Sequence, residues 1–525
     1  MAATFSTAGR GGDVVIRGAT VVDGLLGTPE VRDVLLDGAR IAAVEPAGAI
    51  PSEGYRSLDA GDLVLAPGFI DVHSHADNAP LLDEDDTTKI LQGVTTEVVG
   101  NCGFSLAPVG HGRRAELAAL TSRIFPELPW GWSSFAELLD RLDTAGYVTN
   151  YVPLAGHGTL RLAVAGMANK PTTRPQRRQM GELLRAAMDA GCFGLSSGLI
   201  YPPAVFSDAD ELVELAKWLP DGGIYATHMR NEGEHLAQSI DEALTIGRSA
   251  DRAVQISHLK AAGRPSWGSV PAALEQLAAA REAGQPVTQD VYPYTASSTM
   301  LTTWLPAWFQ EDGEPDMLAG LADPPTLDRL RAECSDAWDE VLVASTASHE
   351  LEGLTVREIG ERLGCDPFDA FVEVLCRERL RVSAVMFSMT EDDLVAGLLD
   401  DHTMIGSDGL PPGVGGKPHP RLFGTFPRVL GRYVRERQLL DLSVAVHKMT
   451  ALPAATFGLA DRGSIRPGMV ADLVAFDPAE VRDVGDYRDP VHAPTGISWV
   501  MQAGKFVVSA GRWHGERQGQ RLTRG

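Results

Sequence analysis

The stretch Val64-Leu65-Ala66-Pro67-Gly68-Phe69-Ile70-Asp71-Val72-His73-Ser74-His75 runs an apolar segment into two histidines separated by one serine. Successive side chains of a β-strand point to opposite faces, so His73 and His75 project from one side and can bind one metal ion. Histidines end other β-rich runs in the same way, His228 at 223–228 and His258 at 253–258, and Asp408 follows the run 403–407. A lone buried histidine is usually structural. Four histidines and an aspartate at equivalent strand ends point instead to one shared site.

Eight β-rich runs (64–75, 95–100, 151–155, 192–196, 223–228, 253–258, 286–292 and 403–407) alternate with helical patterns such as 172–190, 208–218, 239–249 and 270–283. In those patterns apolar residues recur three and four apart. The alternation predicts the α/β class and a closed (β/α)8 barrel of TIM type. An open doubly wound sheet is the alternative that periodicity leaves standing. What favours the barrel is the clustering of metal-type residues at strand C-termini, where such barrels keep their active sites.

Short alternating strands in 13–22 and 31–44 return in texture at 471–476 and 499–508, so both ends of the chain are expected to build one small β domain. The expected division is 1–66 and 461–525 for that domain and 67–460 for the barrel. An inserted lid subdomain is expected at about 297–341, too long for an ordinary connection. Its Trp304, Trp308 and Phe309 fit local packing and substrate contact equally well.

With 46 Lys+Arg against 70 Asp+Glu, the formal charge of -24 repels nucleic acid and anionic membranes. The five cysteines are odd in number and form no C-x-x-C pair, which argues against a disulfide framework and for a reducing cytoplasm. Residues 1–12 have no apolar signal core, and no apolar stretch reaches about 18 residues. No nucleic-acid or membrane partner is therefore expected; the oligomeric state stays open.

Histidine nitrogens, a thiolate and carboxylates suit Zn²⁺, and a catalytic site leaves one coordination position for water. Cys102, at the end of the second run, is a candidate thiolate ligand facing His73 and His75. Asp408 is the candidate proton shuttle between attacking water and departing nitrogen.

The Pro67-to-His75 pattern with His228, His258 and Asp408 resembles the amidohydrolase superfamily. The stretches Gln92 to Thr96, Gly100-Asn101-Cys102-Gly103-Phe104-Ser105, Gly156 to Arg161, Asp290 to Tyr294 and His419 to Arg428 resemble, more narrowly, the N-acyl-D-amino-acid deacylases. That resemblance implies a tightly held zinc on Cys102, His228 and His258, and a second, weaker metal position served by His73 and His75 with Cys102 shared. It also implies Lys260, Tyr292, Ser298 and Arg421 as the carboxylate-binding set. The fourth run contains no lysine, so the carboxylated-lysine bridge of many superfamily members is absent and Cys102 stands in its place.

The turn Leu410 to Lys417 is longer and richer in glycine than the resemblance implies, which leaves the position of Arg421 open. His157 matches a family motif, and no metal is assigned to it. The expected function is zinc-dependent hydrolysis of N-acyl-D-amino acids. The alternatives are a hydantoinase-like or dihydroorotase-like hydrolase of cyclic amides, a deacylase of bulky N-acyl amino acids of either hand, and a non-catalytic metal-binding protein.

Overall fold

The structure is a computed structural model that describes residues 5–6, 13–311 and 313–524. Most of the N-terminal stretch read as lacking a signal core lies outside the described residues.

Eight parallel strands form the centre: β1 (Phe69–Asp71), β2 (Val94–Val99), β3 (Asn150–Pro153), β4 (Gly194–Gly198), β5 (Ile224–His228), β6 (Ala253–Ile256), β7 (Val287–Val291) and β8 (Thr403–Ile405). They pair in chain order, with Ala155–Gly156 carrying the pairing from β3 to β4. Beyond β8 and β1 the chain continues the ladder. Ser74 bridges Gly409 in parallel, the Asp408 amide donates to the His73 carbonyl at 2.6 Å, and the His75 amide donates to Gly409 at 3.0 Å. Strand β2, Val-Thr-Thr-Glu-Val-Val, is buried at every position; such β-branched runs, covered on both faces, are what parallel sheets require.

Helices cover the outside. Arg174–Asp189 starts at a Thr173/Gln176 capping box, and Ala209–Ala216 is capped by the Asp208 carboxylate. Leu236–Ala250 and Val270–Glu282 complete the four helices read from sequence.

The run 64–75 is two strands, not one. Val64–Pro67 pairs antiparallel with Leu473–Phe476 in a ten-stranded sheet, while β1 pairs with β2. The change of partner falls at Gly68, whose amide donates to Asp472 at 2.8 Å while that of Phe69 donates to Gly93 at 2.9 Å. A Cβ on Gly68 would lie 2.3 Å from Thr95 Oγ1, so only glycine fits this close approach.

The ten-stranded sheet draws on both ends of the chain. Val14–Val21 pairs with Glu30–Asp37, Arg56–Asp59 and Val64–Pro67; Leu473–Phe476 continues to Ile497–Gln502 and Lys505–Ser509. Its apolar face holds Ile16, Val34, Leu65, Leu473 and Trp499.

The excursion between β7 and β8 runs longer than 297–341. Ser297–Met300, Val341–Thr346 and Val382–Met386 form an antiparallel three-stranded sheet, with a separate apolar cluster that includes Leu305, Phe309, Val343, Phe371 and Val374. The sequence expectation ends the insertion at about 341, because strand direction leaves no mark on composition. Phe309 belongs to that cluster, with Trp304 and Trp308 packed against it.

All five cysteines are unpaired. Among the described residues no helix is long and apolar enough to cross a membrane.

Candidate metal centre

His73, Ser74 and His75 follow the end of β1. Their alternation survives there: Ser74 Oγ turns away and donates to Glu97 at 2.6 Å, while the His73 and His75 rings approach to 5.5 Å. Each brings an Nε2 to Asp408 Oδ1, His73 at 3.5 Å and His75 at 3.2 Å.

Beneath them lies a buried charge cluster. Lys89 Nζ sits 3.4 Å from Asp71 and 3.3 Å from Glu97, and Asp71 accepts from the Ser407 hydroxyl at 2.6 Å and its amide at 2.8 Å. An isolated buried ammonium is costly, but two carboxylates and the Ser74 hydroxyl, which accepts from Lys89 at 3.2 Å, satisfy this one. The cluster ties β1, β2 and the segment after β8 together below the histidines.

Cys102 stands on the Gly100-Asn101-Cys102-Gly103 turn after β2, with its Sγ 3.3 Å from His73 Nε2 and 3.5 Å from His258 Nε2. The turn is wedged between strands: a Cβ on Gly100 would meet the Leu154 carbonyl at 2.2 Å, and one on Gly103 the Gly198 amide at 2.7 Å. Cys102 (φ 54°), His258 (φ 37°) and Asp408 (φ 48°) all occupy the left-handed region. Such backbones cost about 1–3 kcal/mol each in non-glycine residues and persist where the surroundings fix them.

His228, at the end of β5, packs edge-on to His258 with ring centroids 4.4 Å apart. Neither of its buried ring nitrogens makes a hydrogen bond, although Nε2 lies 3.5 Å from Glu232 Oε2. Buried polar atoms are almost always satisfied, so two orphaned nitrogens on one ring mark a place for a ligand. His258 Nδ1 faces Glu232 Oε1 at 2.9 Å and Lys260 Nζ at 2.8 Å, and Lys260 Nζ meets the same Glu232 oxygen at 2.6 Å.

Single donor atoms of His73, Cys102, His258 and Asp408 lie within 4.8 Å of one another, as do those of His228, Glu232 and His258. His258 is common to both groups. Burial opposes ionisation of Cys102, yet His73, His258 and His228 draw its pKa well below the usual thiol value. Burial likewise opposes the Asp408 carboxylate, and the Arg421 guanidinium with His73 and His258 more than offsets it, holding Asp408 well below the usual carboxylate range. A thiolate, several imidazoles and a carboxylate with an orphaned histidine form a donor set that fits zinc.

His75, Cys102, His228, Glu232, His258 and Asp408 line a cavity of about 820 Å³. Lys260, Tyr292 and Ser298 line it, and the Ser298 hydroxyl has no partner. Arg421 lies behind that wall, fully buried, with Nη2 2.9 Å from Asp408 Oδ2 and 3.0 Å from the Ser298 carbonyl. Its guanidinium stacks 4.5 Å over the Tyr292 ring, and Nε and Nη1 have no partner. The long Leu410-to-Lys417 turn thus returns the chain to place Arg421 against Asp408.

His157 is apart from the metal-type residues. Its Nε2 meets Glu211 at 2.8 Å, and Glu211 also accepts from Arg161 at 2.6 Å and Thr172 at 2.5 Å.

Two carboxylates in the site carried no role in the sequence reading. Glu232 follows His228 by four residues and holds His258 and Lys260. Asp290, quoted only as part of the Asp290-to-Tyr294 stretch, accepts from the His258 amide at 2.9 Å and lies 3.3 Å from His73 Nδ1. The signal for both was position: one turn past a candidate ligand, or the end of a β-run.

Comparison with known proteins completes the picture. Residues 56–508 match the amidohydrolase family. The chain is 38% identical to a D-aminoacylase of Alcaligenes xylosoxydans xylosoxydans over 98% of both chains. It is 37% identical to an N-acyl-D-aspartate deacylase of the same organism, over 98% of this chain and 95% of that one. The crystal structure of N-acyl-D-glutamate deacylase from Bordetella bronchiseptica, complexed with zinc and a phosphonate mimic of the tetrahedral intermediate, superposes with a TM-score of 0.84 at 34% identity, covering 98% of this chain and 99% of that one. The chain belongs to the amidohydrolase family, in its N-acyl-D-amino-acid deacylase branch.

Proposed function

We propose that this protein is a zinc-dependent deacylase that hydrolyses the amide of an N-acyl-D-amino acid to a carboxylate and a free D-amino acid. The observation that carries the reading is the buried thiolate–imidazole set around the orphaned His228, beside Asp408 on the floor of an 820 Å³ cavity. The eight parallel strands are read as a (β/α)8 barrel, the ten-stranded sheet as a small domain of about 1–66 and 461–525, and the excursion from Ser297 to Met386 as a lid. We place the enzyme in the cytoplasm with small-molecule substrates and without nucleic-acid or membrane partners.

Cys102, His228 and His258 would hold the tight zinc, and His73 and His75 a weaker second position with Cys102 shared. When bound, zinc supplies Lewis-acid polarisation of the acyl carbonyl and makes water acidic enough to attack near neutral pH. Asp408 is held ionised, with Oδ2 on Arg421 and Oδ1 turned toward His73 and His75, and Oδ1 would take a proton from the attacking water and return it to the departing nitrogen. Lys260, Tyr292 and Ser298 are assigned to the substrate carboxylate at the cavity wall, and Arg421 supports them from behind through Nη2 on the Ser298 carbonyl and its stack on the Tyr292 ring. Glu232 and Asp290 hold the His258 and His73 rings in orientation, as carboxylates behind metal-bound histidines do.

The test is a chiral panel on protein of measured zinc content: N-acetyl-D-methionine, N-acetyl-L-methionine and a hydantoin. Hydrolysis of the D compound well above the other two is expected. Faster opening of the hydantoin, or equal rates for both hands, would replace this reading with a cyclic-amide hydrolase or a deacylase without chirality.

A further inference from the structure

The relatives named above are, by their names, a D-aminoacylase, an N-acyl-D-aspartate deacylase and an N-acyl-D-glutamate deacylase, at 34 to 38% identity to this chain. Overall similarity therefore does not choose between an apolar and an acidic side chain. The cavity wall does.

Away from the metal-type residues, the lining includes Phe104, Ile124, Ile200, Met300, Trp304 and Leu410. The charged groups on that part of the wall are Arg264, Asp336 and Glu340, two carboxylates against one cation. The cation faces Glu340, although its side chain is 71% exposed. Arg264 donates from Nε at 3.0 Å and from Nη2 at 2.6 Å to the same Glu340 oxygen, and its guanidinium lies 5.3 Å from the Trp267 ring centroid. Deeper in, Lys260 is paired with Glu232. With Lys260 assigned to the α-carboxylate, a second, side-chain carboxylate entering here meets Asp336 and Glu340 with only the Glu340-paired Arg264 against them, whereas an aliphatic or thioether side chain meets apolar wall. Like charges brought together across a binding surface are a strong means of rejecting a competitor.

We propose that the site selects uncharged, apolar D-side chains, and that Glu340 is a specificity-determining residue: by occupying Arg264 it removes the one cation at the cavity mouth that an acidic substrate could use. This rests on the deacylase reading above. Glu340 ends the short helical turn Trp338–Glu340 leading into Val341–Thr346, and Arg264 lies on the loop after β6. The pair therefore joins the excursion to the strand ends, and specificity is set where the two meet.

The experiment measures kcat/KM for N-acetyl-D-methionine, N-acetyl-D-aspartate and N-acetyl-D-glutamate on one preparation, so that ratios are independent of the active fraction. The wild-type ratio of methionine to either acidic compound is expected at about 100 or more. In Glu340→Gln, which frees Arg264, that ratio should fall about tenfold, and in the double variant Glu340→Gln/Arg264→Gln it should return toward the wild-type value. Preference of the wild type for an acidic compound, or a Glu340→Gln ratio equal to the wild type's, would overturn the proposal. Hydrolysis of N-acetyl-L-methionine with all three D compounds inert would instead overturn the deacylase reading, and this proposal with it.

Discussion

Two buried histidine–glutamate clusters sit within the same parallel-strand frame, and only one of them is built to bind something. In the first, Glu211 takes donors from His157, Arg161 and Thr172, so the carboxylate is saturated and its charge is balanced by a fixed guanidinium. In the second, Glu232 pairs with His258 and Lys260 and lies 3.5 Å from His228, which packs against His258 with no hydrogen bond at either ring nitrogen and a thiolate nearby. Residue type does not separate them. What does is the convergence of several metal-type donor atoms on one point: the first cluster also leaves His157 Nδ1 and Arg161 Nε without a partner, but among the described residues it belongs to no group whose ligand atoms converge.

The largest effect should come from the open cluster's catalytic neighbour. Asp408→Asn keeps the volume and an oxygen facing Arg421 but removes the base, so kcat should fall by about 10²–10⁴ while zinc content is retained. Steady-state rates with elemental analysis on the same samples would check this; near-normal turnover would remove Asp408 from the mechanism.

Next, His228→Gln is expected to weaken zinc affinity by more than 100-fold, whereas His157→Gln leaves it unchanged. Chelator competition measures both, and the contrast collapses if His157→Gln sheds the metal.

The closed cluster should answer in stability instead. Glu211→Gln leaves Arg161 buried without its counter-ion, at a cost of about 3–5 kcal/mol by denaturant unfolding, with little change in zinc per folded chain. Burial raises the Glu211 pKa, but His157, Arg161 and Thr172 outweigh it and bring it from 4.5 to about 2. Because the folded value is depressed, the stability it gives is complete above about 4.5 and is lost as the pH falls toward about 2. The variant should lack that acid-dependent component. Smallest of all, Thr172→Val deletes one hydroxyl donor to Glu211 and should cost about 0.5–1.5 kcal/mol.

Much of this was readable from sequence where one residue decides one thing. His73, His75, Cys102, His228, His258 and Asp408 end β-runs, and strand ends converge in this class of fold. Three features were not legible. The partner change at Gly68 depends on Thr95 and Asp472, which come from distant segments. The antiparallel course of Val341–Thr346 and Val382–Met386 is invisible to a period-two pattern. Arg421 was assigned to the carboxylate-binding set with its position left open, because the place of a guanidinium after an eight-residue turn is set by contacts to Asp408 and Ser298 rather than by spacing. His157 shows the converse: a motif histidine whose partner, Glu211, lies on another helix.

The single-residue seam at Gly68 constrains how such enzymes can be recombined. A chimera with one crossover at 67/68 would lay one parent's Val64–Pro67 strand beside the other parent's Leu473–Phe476, a pairing neither sequence has been selected to make. Exchange of the end sheet should therefore succeed only when both termini travel together, as a two-crossover cassette around an untouched catalytic middle.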